Sequence, residues 1–190
     1  MTTIIGIAGS LRTGSLNAAL LRAAAQLMPD GASLEIASIK GIPLYDGDVE
    51  ANQGIPPTVA ALKELIAAAD GLLLVTPEYN NAMPGVFKNA IDWLSRPPAE
   101  IPRVFGNRPV AVIGASPGGF GTILAQNAWL PVLRTLGTQP WCNGRLMVSR
   151  AGSVFNNEGE IVDEKIKAQL QQFVHGFVDF VKSSCDDDRQ

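Results

Sequence analysis

Cysteine, histidine and charge of either sign are all scarce in this chain of 190 residues. Two cysteines, Cys142 and Cys185, cannot build a disulfide framework or a cysteine metal cluster, which fits a reducing compartment. Any histidine-based triad or metal site would have to use the single histidine, His175. It shares a helix face with Gln171, Gln172 and Asp179, which reads as a solvated, non-catalytic position. Charged residues make up only 17%, and 15 basic against 18 acidic side chains leave a net charge of -3. That balance is wrong for a nucleic-acid or anionic-membrane partner. No apolar run approaches the roughly 20 residues that span a bilayer. There is no positive charge before Arg12, and Thr3 to Ala8 is too short and strand-like for a signal peptide. With 46% hydrophobic residues the chain can bury a sizeable core. The expectation is a soluble, cytoplasmic single domain.

One alternation repeats along the chain: a short β-branched apolar run, a glycine or proline loop, then a stretch of helical periodicity. This is the pattern of a parallel sheet with crossover helices. Strands are expected at Ile4 to Ala8, Leu34 to Ile39, Leu72 to Val75 and Val110 to Ala115, with a fifth somewhere in Gln139 to Val148. Helices are expected at Asn17 to Met28, Thr58 to Ala69, Pro84 to about Ser95, Thr122 to Leu136 and about Glu160 to Lys182. Five such units make one doubly wound α/β domain, residues 1–183, with helices on both faces and strand order 2-1-3-4-5. Residues 184–190 form an acidic tail expected to fray. In this architecture ligands bind at the carboxyl ends of the strands, at the switch point. The loops after strands one, three and four are therefore the place to look for chemistry.

The first loop, Gly9-Ser10-Leu11-Arg12-Thr13-Gly14-Ser15-Leu16-Asn17, combines tight turns, hydroxyls, one arginine and a helix N-terminus, the components of a phosphate site. Gly9 to Ser15 has P-loop spacing but lacks the lysine, which argues against nucleotide hydrolysis. It also lacks G-x-G-x-x-G, and Lys40 stands where a ribose-binding acid would follow the second strand. A terminal monophosphate suits it better than a pyrophosphate. The simpler reading is a βα turn capped by Ser15 or Asn17. The second loop, Thr76 to Gly85, is stiffened by Pro77 and Pro84 and can present backbone groups to a planar heterocycle. The third, Ala115-Ser116-Pro117-Gly118-Gly119-Phe120-Gly121, keeps side chains clear so that backbone can approach a ligand or a neighbouring strand. A monophosphate pocket beside a flat-ring pocket describes FMN.

Gly9-Ser10-Leu11-Arg12 with Ser15 and Asn17, then Pro77-Glu78-Tyr79-Asn80, then Ser116-Pro117-Gly118-Gly119, resemble the signature loops of the NAD(P)H-dependent FMN reductases. This is the flavodoxin-like group that includes quinone, chromate and azo-dye reductases. The resemblance extends to Pro43-Leu44-Tyr45 and to Phe155 through Gly159. It implies FMN as cofactor, NADPH or NADH as co-substrate, and a homodimer or homotetramer with the flavin near the subunit interface. Carried over, Ser10, Arg12, Ser15, Leu16 and Asn17 would surround the phosphate. Pro77, Glu78, Tyr79 and Asn80 would line the isoalloxazine side, and Ser116, Gly118 and Gly119 the other edge of the ring. Phe120 departs from the pattern, since many relatives place a small residue there.

The implied chemistry is hydride transfer from nicotinamide to flavin N5 and then to a quinone, azo dye, metal oxyanion or free flavin. No catalytic side chain and no metal is expected, because the flavin carries the reaction. The rival reading is a flavodoxin-like electron carrier without a small-molecule substrate, which the nearly neutral body disfavours. The long connection from Gly41 to Pro57 reads as a lid, an interface segment or a plain surface excursion.

Overall fold

A computed structural model describes residues 1–187 of the chain. Strands β1 (Thr2–Ala8), β2 (Ala32–Ala37), β3 (Gly71–Val75) and β4 (Pro109–Ala115) alternate with helices α1 (Leu16–Gln26), α2 (Gly47–Gln53), α3 (Pro57–Ala68), α4 (Gly85–Leu94) and α5 (Ile101–Val104). Helix α6 (Ile123–Thr135), two short strands β5 (Gln139–Pro140) and β6 (Met147–Val148), and helix α7 (Glu164–Asp187) follow. All pairings are parallel and the order is β2-β1-β3-β4-β5, with β6 also on β4. This is the flavodoxin-like arrangement expected from the alternation of elements.

Period-two alternation along the central strands divides the interior into two cores. Ile4, Leu73, Val75, Ala111 and Ile113 face α1 and α7, where Leu20, Leu170, Phe173 and Phe177 close over them. Ile5, Ile7, Leu72, Leu74 and Val110 face α3, α4 and α6, packing on Val59, Phe87, Trp93 and Trp129. Strand β3 is buried along its whole length, as an uninterrupted Gly-Leu-Leu-Leu-Val must be when helices cover both faces.

Several details differ from the sequence reading. Strand β2 starts earlier, at Ala32, and ends at Ala37. The fifth strand is split: Gln139–Pro140 pairs with the start of β4 and Met147–Val148 with its end. Pro140 cannot donate to a ladder, the Trp141 N–H makes one last bond to the Val110 carbonyl at 2.8 Å, and the Trp141 ring stacks edge-on against Phe173 at 4.9 Å. Helix α7 begins at Glu164, because Phe155 and Ile161 pair across a turn and the Asp163 carboxylate accepts from the Lys165 and Ile166 N–H groups at 3.0 Å. At its other end α7 is helical through Asp187, further than the sequence suggested, and residues 188–190 of the acidic tail lie outside the described residues.

The 41–57 connection is a strap bound to α4. Asn89 accepts from the Tyr45 N–H and donates to the Pro43 carbonyl, both at 2.8 Å, and the Trp93 indole donates to the same carbonyl at 2.9 Å. Glu50, in α2, accepts from the Tyr45 hydroxyl and from Arg96. Those two hydrogen bonds hold its carboxyl below the usual range, the Arg96 contact being the larger cause.

Where β4 ends, Gly114 leaves no room for a side chain: a methyl group there would overlap the Thr76 carbonyl and the Thr122 side chain. Gly114→Ala is expected to destabilise the protein by about 2 kcal/mol, read as a lower urea midpoint with unchanged slope. A second test concerns the ionic cluster beneath α3. Hydrogen bonds from Arg103 and Lys63 hold the Glu100 carboxyl down to about 2. A group depressed in the folded state stabilises it above the ordinary carboxylate pKa, and that contribution disappears as pH falls from about 4.5 to about 2. Glu100→Gln should therefore flatten the acid limb of stability in this window, measured by urea unfolding at stepped pH, and change the slope little above pH 5.

Candidate functional site

The sheet's hydrogen bonds continue past the strand ends and set the loops side by side. The Gly9 N–H donates to the Val75 carbonyl at 2.9 Å and the Thr76 N–H to the Ile113 carbonyl at 2.8 Å. The loops after β1, β3 and β4 thus leave the carboxyl edge as neighbours, as the strand order requires.

In the first loop Ser15 caps α1, its hydroxyl oxygen accepting from the Ala18 N–H at 3.2 Å. The Ser15 N–H closes a turn onto the Arg12 carbonyl, and Ser10 accepts weakly from the Arg12 N–H at 3.4 Å. The N–H groups of Leu11, Thr13, Gly14, Leu16 and Asn17 have no acceptor among the described residues. The Arg12 guanidinium is exposed and has no hydrogen-bond or ionic partner among them either. A cluster of free donors around one unpaired cation at a helix N-terminus fits an anionic oxygen group. Ser10, Arg12, Ser15 and the Leu16 N–H all belong to this one turn.

Asn17 is different. Its side chain is buried, donating to the Ala115 carbonyl and accepting from the Ala115 N–H, both at 2.8 Å. The carboxamide is committed to the fold, bracketing the start of α1 to the start of the third loop. Its contribution to a ligand is reduced to its N–H and to positioning.

The second loop turns on two left-handed residues, Asn80 (φ 51°) and Asn81 (φ 62°), between Tyr79 and Ala82, which exchange both backbone hydrogen bonds. Asparagine suits this two-residue turn because it tolerates positive φ. Pro77 is buried and Tyr79 exposed at the rim. The Glu78 carboxylate accepts from the Leu124 and Ala125 N–H groups at 2.9 and 3.0 Å, capping α6. Glu78 thus ties loop two to the helix that follows loop three. Beneath them the Trp129 indole donates to the Thr76 hydroxyl at 3.1 Å.

The third loop is held by a segment that nothing in the local sequence connects to it. The Ser116 N–H donates to Val148, the Ala151 N–H to Ser116 and the Arg150 N–H to Gly118, at 2.9–3.0 Å. Arg150 is in the left-handed region (φ 48°) and was missed, since its contact depends on where β6 docks. Gly118 and Gly119 are exposed, and a Cβ at Gly119 would meet nothing within 4 Å. Among the described residues no group of acidic, histidine or cysteine side chains is arranged to hold a metal.

The hollows do not coincide fully with these donors. One of about 500 Å³ lies between α6 and β5, lined by Leu124, Leu130, Trp141 and Cys142, and shares no residue with the three loops. Another of about 240 Å³ opens beside the first loop, with Ser10, Leu11, Arg22 and Ser38 on its wall. Convergent unpaired donors define an anion site better than empty volume, so the loops carry the assignment.

Residues 2–153 match the family described as NADPH-dependent FMN reductase. The chain belongs to that family. It is 47% identical over 169 residues to an NAD(P)H-dependent FMN reductase of Pseudomonas aeruginosa, covering 89% of each chain. It is 39% identical to a 2-hydroxy-1,4-benzoquinone reductase from a Burkholderia species, over 93% of this chain and 94% of that one. Among solved structures, FerB, a flavoenzyme NAD(P)H:(acceptor) oxidoreductase from Paracoccus denitrificans, superposes with a TM-score of 0.86 at 34% identity, covering 97% and 99% of the two chains. Family membership agrees with the loop resemblance and with the flavodoxin-like sheet.

Asn17→Ala should cost about 2–4 kcal/mol, because it leaves both the N–H and the carbonyl of Ala115 unpaired in a buried setting. Thr13→Ala, exposed and without a side-chain partner, should stay within about 0.5 kcal/mol. Urea unfolding of the two variants beside the parent checks the contrast.

Proposed function

We propose that this protein is an FMN-dependent NAD(P)H oxidoreductase whose acceptor is a small molecule of the quinone, azo-dye, metal-oxyanion or free-flavin type. The observation that carries the reading is the group of free N–H donors around Arg12 at the start of α1, opening beside two loops that present backbone rather than reactive side chains. Ser10, Arg12, Ser15 and the Leu16 N–H hold the phosphate, with Asn17 keeping that loop against the third. Pro77, Tyr79 and Asn80 line one side of the ring, and Ser116, Gly118 and Gly119 the other edge. Glu78 positions the second loop through α6. Bound FMN supplies the hydride-accepting and electron-donating chemistry, which explains why no acid–base pair or nucleophile is gathered at this edge.

The chain's own part is to bind, orient and leave access. Backbone donors, already directed and needing no reorganisation, favour negative charge at the ring edge. The exposed rim admits nicotinamide and acceptor. A homodimer or dimer of dimers in the cytoplasm, with the flavin near the interface, completes the reading. It is supported by apolar side chains left open at this end, Leu11 and Leu44 among them. No helix among the described residues is long and apolar enough to cross a membrane.

Arg12→Ala should weaken FMN about ten- to hundredfold, the equivalent of one charge-assisted contact of roughly 1.5–3 kcal/mol. Riboflavin, which has no phosphate, should bind the variant and the parent alike. Fluorescence titration of the apoprotein with each flavin reads both affinities. Equal weakening of FMN and riboflavin would remove the phosphate from this loop.

A further inference from the structure

The first βαβ unit ends in a hollow that the reading above leaves without a role. It holds about 240 Å³ and is walled by the end of β1, by α1 and by the residues around the end of β2. Ser10 is part of the wall, so the hollow adjoins the donors gathered around Arg12 and opens on the same carboxyl edge of the sheet as the three loops. Its volume falls below the roughly 300 Å³ that encloses a whole drug-sized ligand, which suits one end of a longer molecule.

The floor is aliphatic. Leu21 is buried, and Ile36 on the edge strand is 52% exposed, although Leu34 two residues earlier packs against the core on that face. Polar groups stand at the rim, and they are unspent. Arg22, in the second turn of α1, is exposed, and its guanidinium has no hydrogen-bond or ionic partner among the described residues. Gly159, in the turn before α7, leaves it room: a Cβ there would lie 2.7 Å from Arg22 Nη2. Ser38 accepts from the Lys40 N–H at 3.1 Å, which leaves its hydroxyl proton free to donate, and the Lys40 ammonium is unpaired as well. No acidic side chain lines the hollow, and Glu35 points to the opposite face of β2 from Ile36.

That inventory names a chemical group. In a βαβ unit that binds a dinucleotide, an acid after the second strand takes the ribose 2′-hydroxyl, and a cation nearby takes a 2′-phosphate instead. Here the acid is missing, Ser38 and Lys40 follow β2, and Arg22 stands on the same hollow as Ser38. A half-open aliphatic floor suits the flat base, and free cations with a free hydroxyl suit a phosphate.

We propose that this hollow receives the adenosine 2′-phosphate end of NADPH, and that Arg22 and Ser38 discriminate NADPH from NADH. The inference rests on the FMN reductase reading and deepens it by assigning a coenzyme subsite. Both residues act on the end of the coenzyme remote from the hydride, so their effect falls on KM and leaves kcat nearly unchanged.

The test uses the FMN-loaded protein, with adenosine 2′,5′-bisphosphate and 5′-AMP as probes beside the two coenzymes. The parent should bind the bisphosphate more tightly than 5′-AMP by isothermal titration calorimetry. Arg22→Gln should weaken the bisphosphate about tenfold, the loss of one charge-assisted contact, and leave 5′-AMP unchanged. In turnover it should lower the NADPH-to-NADH ratio of kcat/KM by about the same factor, through KM for NADPH. Ser38→Asp keeps an acceptor for the Lys40 N–H and should lower the ratio at least as much, because it sets a carboxylate against the phosphate. FMN affinity and urea midpoint should match the parent in both variants. An unchanged ratio, an equal loss with both coenzymes, or a bisphosphate that displaces FMN overturns the proposal, the last by joining the hollow to the flavin phosphate site. A parent that oxidises neither coenzyme removes the functional reading, whereas a bisphosphate affinity indifferent to Arg22→Gln removes this inference alone.

Discussion

The two hydrogen bonds between the Asn17 carboxamide and Ala115 hold the site in place. They join the first turn of α1 to the end of β4 across 98 positions of sequence. A buried amide paired in both directions is costly to break, because each freed group is left without water. Everything the first loop offers, the capping hydroxyl of Ser15 and the free N–H groups before and after it, depends on α1 starting where this bracket puts it. The third loop leaves from the same residue, so one interaction sets the spacing between the first loop and the third.

A division of labour follows among residues that look alike in the sequence. Asn17 and Glu78 are polar and sit in signature loops, yet both side chains are engaged with the protein, one with Ala115 and one with the start of α6. Ser10, Arg12 and the backbone donors around them remain available. Asn80 and Asn81 serve through their tolerance of positive φ as much as through their amides. The groups left free at this edge are thus mostly backbone, and the groups that hold them are side chains. A rim built this way positions a cofactor closely while leaving the chemistry to it.

The same logic extends outward to the strap. Residues 41–57 carry the chain from β2 to α3 across the outside of α4, and Pro43, Tyr45 and Glu50 are tied to Asn89, Trp93 and Arg96. Helix α4 begins directly after the second loop, so a clamp on its outer face steadies the loop at its inner end. Trp93 and Trp129 are both core, each with its indole N–H satisfied.

Local chemistry in the sequence determined the sheet class, the positions of the three loops and the cap at the start of α1. These rest on period-two and helical patterning, glycine and proline punctuation, and cap residues, all of which act over a few positions. Tertiary structure alone decided that Asn17 and Glu78 would be braces, that the fifth strand would split at Pro140 and Trp141, and that Arg150 and Ala151 would hold the third loop. Each of those outcomes depends on a partner far away in the chain: Ala115 for Asn17, the α6 N-terminus for Glu78, Phe173 for Trp141, Gly118 for Arg150. A polar side chain carries no local mark of whether its partner will be a ligand or a distant peptide group, because the hydrogen bond it makes is chemically the same.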